Sequence, residues 1–253
     1  LVDHLELYRR SPAEYKAWLE KRPDVRARYP LGKAGHQALF ADFERMRRRK
    51  DLVVFTGWEV SELELDEGTE PEALKAVDLV GWHISPNNKG NAPDGPHLIR
   101  RARQVKEIQK SIGRPMVLFH PFTMRVEKVQ KRARQAGRNL ESILVDDYRF
   151  FHGDEQKQLA EILRGTSIYV EIGRETGTCM KQPNCRQAMI ADIKPLADLG
   201  VQFTVSTDAH SVDDLKRTFR PEEFCGPLGV TEANTNTLVR ELRALRARRG
   251  GVR

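Results

Sequence analysis

Short apolar runs bounded by turn residues recur along the chain and alternate with longer amphipathic stretches. The runs are Leu1-Val2 and residues 52–56, 77–84, 116–119, 167–172 and 201–206, and each reads as a short buried strand. Helical periodicity between them predicts helices over 34–50, with Leu39, Phe40, Phe43 and Met46 on one face, and over 96–112, 156–163, 186–199 and 231–248. Residues 125–151 also read as helical. Ser11-Pro12-Ala13-Glu14 offers an N-cap, a proline at the first helical position and an acid in the first turn, so a helix is expected over 11–21. Acidic residues 61–72 and asparagine-rich residues 86–96 read as loops.

Strands alternating with helices imply a parallel sheet in an α/β fold. A chain of 253 residues suits one barrel domain over 1–253, and no linker, repeat or low-complexity segment divides it. Fewer strands are visible than the eight of a complete TIM barrel, and the first is reduced to Leu1-Val2. The expectation is a TIM-like barrel that lacks its first βα unit. An open doubly wound sheet fits the alternation as well.

What favours the barrel is the position of six potential metal ligands. His4, Glu59, His83, His120, Asp208 and His210 each follow an apolar run closely. In a parallel barrel the strand C-terminal ends converge on one face, where active sites lie. Carboxylate oxygen and imidazole nitrogen together suit Zn, Mn or Fe. Ser206-Thr207-Asp208-Ala209-His210 is the sharpest local pattern, although Asp208 could instead cap the next helix. Glu59 beside an apolar run is costly unless paired or metal-bound. Asp3 is a natural partner for the His4 imidazole. Taken singly, His83 and His120 could be core or turn residues. Glu171 is either an orienting group behind a ligand or a strand-end carboxylate. Arg125 and Arg174 are candidates for holding a phosphoryl group, or surface arginines. Trp58 and Trp82 line the pocket or pack the core, and His36, His97 and His152 read as structural or exposed.

Composition narrows the partners. Lys and Arg number 43 against 36 acids, a formal charge of +7, concentrated around 45–50 and 240–253 with a diffuse stretch over 100–138. Such runs are read as solvated helix faces, with nucleic-acid binding the less favoured reading. No apolar run approaches the roughly 20 residues that cross a bilayer. Cys179, Cys185 and Cys225 fit no disulfide framework or zinc signature; as free thiols they point to a reducing compartment, the cytoplasm.

In order, Val2-Asp3-His4, Gly57-Trp58-Glu59, Asp78-Leu79-Val80-Gly81-Trp82-His83, His120-Pro121 and Ser206-Thr207-Asp208-Ala209-His210 resemble the motifs of the polymerase and histidinol phosphatase (PHP) family. The resemblance spans nearly the whole chain. It implies a distorted (β/α)7 barrel, a cluster of up to three metal ions and hydrolysis of phosphate esters. It also implies that Glu59 bridges two metals, that His83 and His120 complete the second site, that Asp208 serves the first, and that His4 and His210 hold a third. The family's opening His-x-His has no counterpart here, and the expected reason is truncation of a longer protein. The leading expectation is a metal-dependent phosphoesterase for a small phosphorylated molecule, with Glu59, His120, Asp208 and His210 at the reaction centre. Its rivals are a nucleic-acid 3′ exonuclease, an amidohydrolase-type barrel and a non-catalytic binding module.

Overall fold

The structure is a computed structural model, and it describes residues 2–4, 33–48, 51, 53–61, 71–84, 92–209, 213, 216 and 219–250. Six strands are described: β1 (Val2–His4), β2 (Gly57–Val60), β3 (Leu79–His83), β4 (Met116–Phe119), β5 (Ile168–Gly173) and β6 (Phe203–Ser206). All neighbours pair in parallel, and their order in the sheet is their order in the chain. The helices among the described residues are α1 (Lys33–Arg47), α2 (Pro71–Lys75), α3 (Gly95–Ile112), α4 (Pro121–Gln135), α5 (Val145–Tyr148), α6 (Glu155–Leu163), α7 (Arg174–Cys179), α8 (Pro183–Asp198), α9 (Glu222–Cys225) and α10 (Glu232–Gly250). Among the described residues no helix is long and apolar enough to cross a membrane.

Strictly sequential order has a consequence for layering. Right-handed crossovers between successive neighbours place the connecting helices on one face of the sheet. A doubly wound sheet reverses direction at a switch point, and the described strands contain no such reversal. The fold is therefore α/β with a singly wound parallel sheet. Among the described strands β1 and β6 stand at the edges, and no pairing joins them into a ring.

The pleat sorts residues between the two faces. Trp58, Val60, Val80, Trp82, Met116, Leu118, Ile168, Val170, Ile172 and Phe203 enter one large core with the helices. Trp58 and Trp82 thus pack the core rather than wall a pocket: they are 0% and 1% exposed, and Trp58 Nε1–H donates to the Ala73 carbonyl at 3.0 Å. The opposite face carries Gly57, Glu59, Leu79, Gly81, His83, Val117, Phe119, Tyr169 and Glu171. At the N-terminal half of this face Leu79, Val117 and Tyr169 meet Leu238 and Leu242 of α10 in a second, smaller core. Tyr169 O–H donates to Glu241 at 2.7 Å, and Ser167 O–H donates to the same carboxylate. The C-terminal half is left to the charged residues.

Several elements differ from expectation for local reasons. Residues 53–56 are not a strand, and the strand begins at Gly57 instead. The Val54 carbonyl accepts from Arg246 at 3.2 Å, and Thr56 N–H and O–H both donate to Asp78, at 2.9 and 3.0 Å. Arg47 closes this network on Asp78 at 3.1 Å. Burial pushes the Asp78 carboxyl up, but the Thr56 amide and the Arg47 charge outweigh it and hold its pKa below the usual value. The stretch 125–151 is broken too. Gly137 adopts φ 66°, Asn139 caps a 3-10 turn over Leu140–Ser142, and α5 follows. Helix α3, by contrast, lies one residue from its predicted start, because Asp94 accepts from His97 N–H at 2.9 Å and left-handed Gly113 ends it. The helix expected over 11–21 and most of the 61–72 loop lie outside the described residues. All three cysteines are free and buried.

Candidate metal centre

Three of the predicted ligands meet at the C-terminal ends of adjacent strands. Glu59 lies on β2, His83 is the last residue of β3, and His120 follows β4 directly. One ligand atom of each lies within 4.8 Å of the others, and all three side chains are partly buried. The His83 and His120 rings sit edge to face with centroids 5.2 Å apart. Glu59 is thus inside its strand, not beyond it. The pleat still turns it to the same face as His83.

His120 is held from both of its ends. Its backbone N–H donates to Glu171 Oε2 at 2.8 Å, and its Nδ1 lies 2.9 Å from the same oxygen. Glu171, 3% exposed on β5, also accepts from the Ser206 hydroxyl. The ring stacks on Phe119. With Nδ1 facing Glu171, Nε2 turns toward Asp208, whose Oδ2 stands 4.0 Å away, too far for a hydrogen bond. This is how metal-ligating histidines are commonly oriented: one nitrogen on a carboxylate, the other toward the ion.

Strain marks the same residues. Among the described residues the only non-glycine positions with positive φ are His120, at 57°, and Asp208, at 48°. The left-handed region costs on the order of 1 kcal/mol for such residues and persists where the surroundings impose it, characteristically at functional sites.

The charges are arranged accordingly. Burial pulls the His120 pKa down, but the Glu171 hydrogen bond and charge, with Asp208 and Glu59 behind them, raise it to about 9. Burial pushes Glu171 up, and its bonds to His120 and Ser206 overcome that and hold it below the usual carboxylate value. A site that stabilises a cationic imidazole among several carboxylates is one that attracts cations.

The donor set fits a divalent transition ion. Zinc bonds of about 2.0–2.2 Å put tetrahedral ligands roughly 3.3–3.6 Å apart, so donors within 4.8 Å close on an ion with small side-chain rotations. Asp208 supplies a further carboxylate at the edge of the group.

The remaining predicted residues are placed less fully. The β1 backbone sets His4 in register opposite Glu59, while its side chain and the whole of His210 lie outside the described residues. Arg174 opens α7 immediately after β5, with its Nε 3.6 Å from Glu175. Arg125 follows His120-Pro121 within α4. Its guanidinium donates to the carbonyls of Tyr148, Pro93 and Asp147, each at 3.2 Å, so it straps α4 to the segments around it. His97 bonds within the first turns of α3 and His152 is exposed, as expected. The role of Glu171 was open in the sequence. A carboxylate following Ile168-Tyr169-Val170 in a buried strand was the available signal.

No family model matches the chain, and no curated protein or solved structure matches it.

Proposed function

We propose that the protein is a metal-dependent phosphoesterase acting on a small phosphorylated molecule. The observation that carries this reading is the meeting of Glu59, His83 and His120 at adjacent strand ends, with His120 locked from behind by Glu171. The ordered PHP-like motifs support it, and with the parallel sheet they extend the reading to a distorted (β/α)7 barrel in which His4 and His210 would serve a third ion. A divalent ion held here supplies Lewis acidity toward a phosphoryl oxygen and lowers the pKa of water bound to it. The chain's part is to hold and orient. Glu171 keeps a proton on His120 Nδ1, which leaves Nε2 for the ion. Glu59 and Asp208 supply negative charge that would fix the cation, and Arg174, the residue after β5, would neutralise a phosphoryl oxygen.

A small substrate is favoured over nucleic acid by where the basic clusters lie. Arg246 donates to the carbonyls of Arg47 and Val54. That contact joins the two clusters at the N-terminal end of the sheet, away from the metal centre.

Elemental mass spectrometry of the purified chain tests the reading. At least one equivalent of Zn, Mn or Fe is expected in the wild type and a clear loss in His120→Ala and Asp208→Ala, with metal-dependent hydrolysis of p-nitrophenyl phosphate following the metal. A wild type that takes up no ion after incubation with Mn²⁺ or Zn²⁺, or a loaded protein with no phosphatase activity, would sink it.

A further inference from the structure

A groove of about 770 Å³ opens between α7, the start of α8 and the segment entering α9. Arg174, one of its lining residues, directly follows Gly173, the last residue of β5, and stands three residues after Glu171 in the chain. The groove is thus joined through the chain to the strand that carries the group orienting His120.

Its lining is unevenly charged. Arg174, Lys181, Arg186 and Arg220 face two carboxylates, Glu175 and Glu223. Glu223 pairs with Arg220 at 3.4 Å with both side chains exposed, and such a pair neutralises little, while Glu175 lies 3.6 Å from Arg174. Lys181 and Arg186 have no carboxylate partner among the described residues. A concave surface with excess cations focuses positive potential inward. The floor is apolar and fixed. Phe224 lies against Gly177, where a side-chain carbon would come within 2.9 Å of the ring, and Phe219 packs on Phe224 with centroids 6.0 Å apart. Cations at the rim and aromatic rings on the floor suit a carbon skeleton that ends in an anion.

We infer that this groove binds a second anionic group of the substrate, so that the preferred substrates are small molecules bearing two phosphates, or a phosphate and another anion, separated by an apolar or sugar-like spacer. The inference rests on the phosphoesterase reading for the first phosphate. Lys181, Arg186 and Arg220 take the distal anion, and Arg174 stands between the two.

The test is isothermal titration of the manganese-loaded chain with a series of alkanediol bisphosphates of increasing length, with hexyl phosphate as the monoester control. At least one bisphosphate should bind about tenfold more tightly than the control, the increment of one charge-assisted contact. In an Arg186→Gln, Arg220→Gln double variant that ratio should fall below about twofold. Wild-type protein that binds every member no better than hexyl phosphate overturns the inference, as does a preference that survives in the variant. Turnover is recorded in parallel. Hydrolysis without a bisphosphate preference removes the groove and keeps the phosphoesterase, whereas a variant-sensitive preference without hydrolysis does the reverse.

Discussion

His120 combines a left-handed backbone, a ring clamped by Glu171 and a nitrogen aimed at Asp208. Each depends on the others, so Glu171 is where the site is most exposed to change. Glu171→Gln keeps the size and removes the charge, and metal affinity is expected to drop about 10- to 100-fold, as for other partners behind metal-binding histidines; a competition titration against a chelating dye reads this. Proton linkage gives a second expectation. A histidine whose pKa is raised to about 9 on folding stabilises the metal-free protein fully below its unfolded value near 6.5, and that contribution is lost as pH rises through 9. Compared with His120→Gln in urea, the metal-free wild type should have a stability advantage on the order of 3 kcal/mol at pH 6 that shrinks toward pH 9.5. A difference that is flat with pH would show that Glu171 does not hold the imidazole as a cation. Since an ion competes with the proton on Nε2, metal affinity rises over the same interval.

Elements rather than single residues decide which face each ligand joins. Gly81 sits on β3 between Leu79 and His83, and a side-chain carbon there would stand 1.7 Å from Cε2 of Phe119. The missing side chain is what lets Phe119 lie flat and support the His120 ring. Gly81→Ala should therefore destabilise the fold by roughly 1–3 kcal/mol and weaken metal binding with it. Gly57→Ala, whose contacts on Leu79 begin at 3.0 Å, should cost less. Equal denaturation midpoints for the two variants would contradict this packing. The sequence was legible at this scale wherever apolar pattern and burial coincide. Strand β4 has the predicted bounds of 116–119, and α3 and α6 begin within a residue of expectation. It misled at 52–56, where Val53 is 60% exposed and the polar network around Thr56 and Asp78 holds the backbone outside the sheet. Gly57-Trp58-Glu59 read as the end of that 52–56 strand, yet it forms most of β2, where the Leu79 side chain lies against the glycine. His83 and His120 were visible because the ends of β3 and β4 can be read from pattern, and Glu59 because an acid beside apolar residues stands out; the contact of Glu171 with His120 was not, because it depends on two strands meeting.

Across the whole molecule, the two faces of the sheet carry different loads. The helix-facing side holds the main core, and the opposite side is apolar under α10 and charged beyond it. Leu242, 4% exposed, is part of that cover. Leu242→Ala should cost about 2–5 kcal/mol in urea denaturation while leaving the ratio of metal to refolded protein unchanged, since α10 covers the half of the sheet away from the ligands. Loss of metal in proportion to this destabilisation would show that the two halves are not separable. The sequential strand order also imposes a schedule on a chain growing from the ribosome. Each strand emerges beside a neighbour already made, so Glu59, His83 and His120 can gather early. The carboxylate that steadies His120 is synthesised 51 residues after it, and Asp208 later still. A nascent chain halted after α4 would hold three donors with nothing to aim the third. The aim of the third donor is thus complete only once β5 is in place.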